Sequence, residues 1–180
     1  IRTFAIDPLG LILGLQESGQ AALPPGQLPP VPGYLGAHFS RRDPILPNLI
    51  ARLWLERDKA KRQQDDALSR AIKILMNSFY GVLGSTGCRF FDPRLASSIT
   101  LRGQWIMLET RKWLEQAGHQ VIYGDTDSTF VWLQREADAQ QAESIGRQLA
   151  AGVTEYWRER LAREFELNSC LELQFERHYR

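Results

Sequence analysis

Two carboxylates separated by one residue, Asp125 and Asp127, stand in the run Tyr123-Gly124-Asp125-Thr126-Asp127-Ser128, between Val121-Ile122 and Phe130-Val131-Trp132. On strand-like backbone, residues two apart point to the same face, about 7 Å from each other. Anions that close repel, and a hard divalent cation relieves the repulsion. Mg²⁺ typically takes one or two protein carboxylates and fills its shell with water and phosphate oxygens. A solvated turn is the plain alternative, because Asp and Gly are common in turns. A calcium loop is disfavoured: the longer Asp/Asn series with a distal Glu is missing.

A second group lies on the segment Arg70 to Gly81. At about 100° per residue, Asn77, Tyr80, Arg70 and Gly81 all fall within about 80° of Lys73. Ile72, Leu75, Met76 and Phe79 fall in a separate arc, about 200–300° from Lys73, and are expected to be core. Lysine offers a mobile charge for phosphate, and asparagine offers donors and an acceptor. Tyrosine offers a flat ring for a base or sugar, while glycine permits close approach. Such a stripe suits a nucleotide lying along the helix. Helix-to-helix packing around a buried Tyr80 hydroxyl is the competing explanation. Upstream, Arg57 and Lys61 share a helix face at i and i+4. If the two helices form an antiparallel hairpin, their basic faces converge on one polyanion.

These residues sit in a chain of 180, 43% hydrophobic and 24% charged, with a formal net charge of +1. The length allows one ordinary domain or two small lobes. No apolar run approaches the ~20 residues of a membrane-spanning helix. Cys88 and Cys170 lie outside any CxxC pattern, and His38, His119 and His178 are isolated, which disfavours a disulfide framework or a cysteine or histidine metal cluster. A reducing compartment is the default. The chain opens on Ile1 without a signal peptide, which reads as a piece of something longer. Charge is uneven. From Ala51 to Gly81 seven basic residues face four acids, +3, whereas from Glu136 onward nine acids face six bases, −3. A basic middle beside an acidic tail suits a polyanion-facing element, although solvated helix faces are the plainer explanation of the charge alone.

Residues 1–16, with Gly10 and Gly14, read as short extended or irregular structure. Residues 17–34 hold Pro24, Pro25, Pro29, Pro30 and Pro32 and read as an exposed loop. Helices are expected over 48–64, 65–81, 94–116 and 136–162. Pro93 is placed to open the third of the four, and Asp65 or Asp66 the second. Residues 88–92 read as a short strand or turn. Residues 120–124 and 128–133 read as a hairpin, and alternating Leu171, Leu173 and Phe175 as a strand over 171–177. No Gly-rich phosphate loop follows a strand, so the class is α+β rather than doubly wound.

Taken together, Lys73-Ile-Leu-Met-Asn77-Ser78-Phe-Tyr80-Gly81 resembles the fingers-helix motif of family B DNA polymerases, and Tyr123-Gly-Asp125-Thr-Asp127-Ser128 resembles their palm metal motif. Arg57-Asp-Lys-Ala-Lys61 is similar to the family's triphosphate-contacting stretch, and Phe91-Asp-Pro-Arg-Leu-Ala-Ser-Ser-Ile-Thr100 to its linking region. The resemblance implies a helical fingers hairpin attached to part of a palm. Residues 1–40 would be a palm-derived segment and Pro-rich loop, 41–84 the fingers helices, and 85–180 partial palm. Asp127 would be the principal metal ligand, with Asp125 beside it and Glu176 a further palm carboxylate. Arg57, Lys61 and Lys73 would hold the triphosphate, Asn77 would position it, and Tyr80 would line the nascent base-pair pocket. The implied reaction is two-metal, Mg²⁺-dependent transfer of a deoxynucleotide to a primer 3′ end. Implied partners are primer–template DNA, deoxynucleoside triphosphates and a sliding clamp, in the cytoplasm.

Ile1-Arg2-Thr3-Phe4 is similar to the tail of the family's first palm motif, whose own Asp would lie just upstream. The chain is therefore expected not to polymerise alone. Two other readings compete. A non-catalytic nucleotide- or DNA-binding module would keep the helices without a working metal site. A metal-dependent phosphohydrolase would explain the aspartates but not the line of Lys73, Asn77 and Tyr80.

Overall fold

A computed structural model describes residues 1–20, 22–125, 127–133 and 138–179. Its elements are α1 (Pro8–Ser18), β1 (Val31–Pro32), β2 (His38–Phe39), α2 (Ile45–Arg62), α3 (Asp66–Leu83), α4 (Pro93–Gln116), β3 (Gln120–Gly124), β4 (Thr129–Trp132) and α5 (Ala139–Phe165). Both strand pairs are antiparallel, and the class is α+β. No helix among the described residues is long and apolar enough to cross a membrane. The chain forms two compact units, Ile1–Leu101 and Arg102–Arg180.

In the first unit, a helix replaces the irregular structure expected near the start. Asp7 accepts the Gly10 N–H at 2.8 Å and Pro8 takes the first helical position, a paired start signal that the two glycines obscure. Those glycines serve packing. A Cβ on Gly14 would lie 2.1 Å from the His38 carbonyl oxygen, and the Gly10 carbonyl accepts the Ser40 N–H at 2.8 Å. The β1–β2 pair thus approaches α1 at backbone distance. Val31 faces Phe39, and both are fully buried.

α2 begins at Ile45 rather than 48, because Pro47 lies in the first turn, where a missing N–H costs little. Gln64, at φ 58, and the Asp65 N–H to Ala60 carbonyl bond of 2.9 Å fold the chain back into α3. Asp65 caps α3 through the Leu68 N–H at 2.9 Å, as its position before an apolar run foretells. Of the expected core stripe, Ile72 is buried and Met76 and Phe79 half-buried, but Leu75 is 47% exposed. α2 covers one side of α3, and that is less than the whole apolar arc. Residues 88–92 are turns, and Pro93 opens α4 as expected. Before it, Asp92 accepts the Arg94 N–H and guanidinium, and the side-chain bond from Arg94 holds the Asp92 carboxyl below its ordinary range.

In the second unit the core is aromatic. Trp157 on α5 is fully buried and donates Nε1–H to Thr110 Oγ1 at 2.8 Å, with the Trp105 ring edge-on at 5.0 Å. Arg160 lies over Trp105 and pairs with Glu109 at 2.6 Å and Glu164 at 3.0 Å. Asp138 and Gln141 form a capping box before Ala139. The expected start of this helix at 136 lies outside the described residues.

The strand expected over 171–177 is not a strand. Leu171, Leu173 and Phe175 are half-buried while Glu172, Gln174 and Glu176 are exposed, so the alternation is real. The segment packs on α5 instead of joining a ladder. The Leu173 N–H donates to Thr154 Oγ1 at 3.1 Å, and Phe175 lies so close to Gly146 that an added Cβ would sit 2.1 Å from its ring.

Candidate active site

The basic and polar candidates all lie on the α2–α3 hairpin of the first unit. In an antiparallel pair turning at residues 63–65, Arg57 stands level with roughly residue 71, so Lys73 is within about one helical turn of it. Lys61 is exposed and Arg57 half-buried. The Arg57 guanidinium lies 5.8 Å from the Trp54 ring centre, and its Nε is buried without a partner among the described residues. A cation stacked on an aromatic face is held with little loss of charge.

The stripe of α3 is open to solvent. Lys73, Asn77 and Gly81 are exposed, Tyr80 is 46% exposed, and nothing lies within 4 Å of a Cβ placed on Gly81. Tyr80 is therefore not buried between helices. Its hydroxyl meets the Thr100 Oγ1 on α4 at 2.9 Å, which tethers the half-exposed ring at one end. Thr100 was not among the candidates. Its place twenty residues downstream, on another helix, leaves no local signal.

In the second unit, Asp125 and Asp127 follow β3. The strand ends at Gly124, opposite Thr129, with a bulge between Val121 and Tyr123. The Asp125 N–H donates to the Ser128 carbonyl at 2.9 Å, and the Ser128 hydroxyl donates to Asp127 Oδ1 at 3.4 Å. Both aspartates are exposed. They occupy the turn rather than the strand, so the two-residue strand period that suggested a shared face does not apply to them. Glycine ends the ladder there. Thr126 of the same motif lies outside the described residues. Among the described residues, no three His, Cys, Asp or Glu side chains gather as a metal site, so Glu176, exposed on the segment after α5, forms no such cluster with the two aspartates.

The model for DNA polymerase family B matches residues 40–173, a span that holds every candidate except Glu176. The chain belongs to DNA polymerase family B. It is 50% identical over 179 residues to DNA polymerase II of Escherichia coli, covering 99% of this chain and 22% of that protein. It is 35% identical over 99 residues to the catalytic subunit of DNA polymerase alpha from Mus musculus, covering 48% of this chain and 7% of the relative. The family B DNA polymerase of Pyrobaculum calidifontis shares the fold at a TM-score of 0.53 and 22% identity, over 88% of this chain and 21% of that one. The chain thus spans about a fifth of the length of E. coli DNA polymerase II, while nearly all of it is matched there.

Proposed function

We propose that this chain is the nucleotide-gripping and carboxylate-bearing part of a template-directed DNA polymerase. The observation that carries the reading is the accessible line of Lys73, Asn77 and Tyr80 on one stripe of α3, in a chain of this family. Residues 41–84 act as fingers, and 1–40 and 85–180 contribute to the palm. In the reaction, the primer 3′ oxygen bonds to the α-phosphorus of a deoxynucleoside triphosphate. The bond to the bridging oxygen breaks, pyrophosphate leaves, and the hydroxyl proton passes to solvent.

Arg57, Lys61 and Lys73 hold the triphosphate and balance the negative charge that accumulates on the departing pyrophosphate. Asn77 orients the nucleotide. Tyr80, fixed through its hydroxyl by Thr100, presents a flat wall to the nascent base pair. Asp125 and Asp127 supply exposed, hard oxygen donors of the kind Mg²⁺ prefers, whereas Glu176, which gathers with no such cluster among the described residues, is left without a metal role. Two bound Mg²⁺ ions would supply Lewis-acid stabilisation of the attacking and leaving oxygens. Primer–template DNA, a sliding clamp and a cytoplasmic setting belong to the same proposal.

The test is primer extension by a chimera in which this chain replaces the matching stretch of E. coli DNA polymerase II. Lys73→Ala should raise the KM for the nucleotide roughly 10- to 100-fold, the size of one charged hydrogen bond, with a smaller fall in kcat. An unchanged KM would remove the triphosphate role from α3. The 180-residue chain alone should give no extension with Mg²⁺; robust synthesis would overturn that expectation.

A further inference from the structure

Two buried carboxylates stand outside the residues assigned above: Asp7, 1% exposed, and Glu17, 3% exposed, at opposite ends of α1. Asp7 serves two helices. Its Oδ2 accepts the Gly10 N–H of α1 at 2.8 Å, and its Oδ1 accepts the Leu46 N–H of α2 at 2.7 Å, from 39 residues away. The residue at the N-cap of α2 is Pro44, which makes no side-chain cap bond. The cap of α2 is therefore supplied by α1.

Glu17 holds the chain leading into α2. Its Oε1 accepts the Ser40 hydroxyl at 2.9 Å and Arg42 Nε at 2.8 Å, and Ser40 Oγ in turn accepts the Arg42 N–H at 3.1 Å. Its Oε2 is buried without a partner among the described residues. An orphaned buried oxygen is costly, and an apolar side chain there would avoid that cost. Geometry, rather than stability, is what the carboxylate contributes. The two anchors are ten residues apart on one helix, about 15 Å.

α2 is a lever on this footing. Near its base Leu46, Pro47 and Ile50 are buried, whereas farther along only Ala60 is. Arg57 stands about 18 Å and Lys61 about 24 Å from the first residue of the helix, at 1.5 Å per residue. A tilt of about 10° at the base moves Lys61 by about 4 Å, more than a hydrogen bond tolerates.

We propose that Asp7 and Glu17 are positioning residues: α1 is the footing that sets the direction of α2 and, through it, where Arg57 and Lys61 meet a triphosphate. The second half rests on the polymerase reading above; the first does not. Asp7→Ser separates the two bonds, because serine can still cap α1 through Gly10 but is too short to reach Leu46.

Spin labels at positions 16 and 63 of the full chain, with Cys88 and Cys170 replaced by serine, report the angle of α2 as a distance distribution. Asp7→Ser should shift or broaden it by several ångströms; a distribution superimposable on that of the unsubstituted chain overturns the footing. Should Asp7→Ser fail to fold, Glu17→Gln, which keeps the acceptor for Ser40 and loses the charge facing Arg42, should give a smaller change of the same kind, and none would overturn it equally. In the chimera, Asp7→Ser should raise nucleotide KM about tenfold with kcat within about threefold, and that effect should vanish when Arg57 and Lys61 are both alanine. A shifted distance with an unchanged KM upholds the footing and overturns the triphosphate role of Arg57 and Lys61.

Discussion

Asp127→Ala in the chimera should lower the single-turnover rate of primer extension by about a thousandfold or more, while leaving duplex affinity within a few-fold. A thousandfold corresponds to about 4 kcal/mol of barrier, which is the scale of metal-assisted charge stabilisation at a reacting phosphate. On the proposed role the carboxylate acts where charge develops, not where the duplex is held, so the loss should fall on the chemical step. Folding should be unaffected. Asp127 is exposed and its contact with Ser128 is long, at 3.4 Å, and exposed substitutions of this kind stay within about 0.5 kcal/mol. Its removal even relieves the like charge of Asp125. An unchanged melting curve beside a collapsed rate would assign Asp127 to chemistry; a rate within tenfold of the unsubstituted chimera would exclude it as the principal ligand.

Trp157→Ala should be the most damaging substitution for folding. The indole is fully buried, meets Trp105 at 5.0 Å and Tyr156 at 5.3 Å, and bonds Thr110 Oγ1 at 2.8 Å. Truncating a buried Trp costs about 3–5 kcal/mol through lost burial and the cavity left behind. The buried Thr110 hydroxyl would also lose its partner, at about 1 kcal/mol or more. Against a stability of about 5–15 kcal/mol for a domain, this is a large share. Urea unfolding of the 180-residue chain followed by circular dichroism should show the loss, and Trp157→Phe should recover most of the packing but not the hydrogen bond. A loss under about 1 kcal/mol for the alanine variant would mean that the aromatic cluster does not hold this unit together.

The local placement of the candidate residues on their elements was largely legible in the sequence. Lys73, Asn77, Tyr80 and Gly81 lie on one stripe because helical periodicity puts them there, and Asp65 starts that helix with a cap three residues from its target. Arg57 and Lys61 follow from i and i+4 spacing, and the β3–β4 hairpin from two β-rich runs around a polar turn. These signals are local, reaching no farther than a helical turn or a hairpin. They determined the α+β class and most of the helices, while the family followed from the resemblance of two short motifs to those of known polymerases.

Tertiary structure decided the rest. α1 forms across two glycines because β2 packs at backbone distance on Gly14, a contact no local window contains. Residues 171–177 alternate as a strand would, but a strand needs a neighbouring ladder, and here α5 receives the apolar side chains instead. Leu75 belongs to the apolar stripe of α3 yet stays exposed, since periodicity names a face and only a packing partner can bury it. Tyr80 is fixed by Thr100, and α2 is capped by Asp7, through side chains far away in sequence. Residue order thus states what each short segment prefers. Which distant segment it meets depends on each unit closing around its own core, and that closure sets where the charges stand.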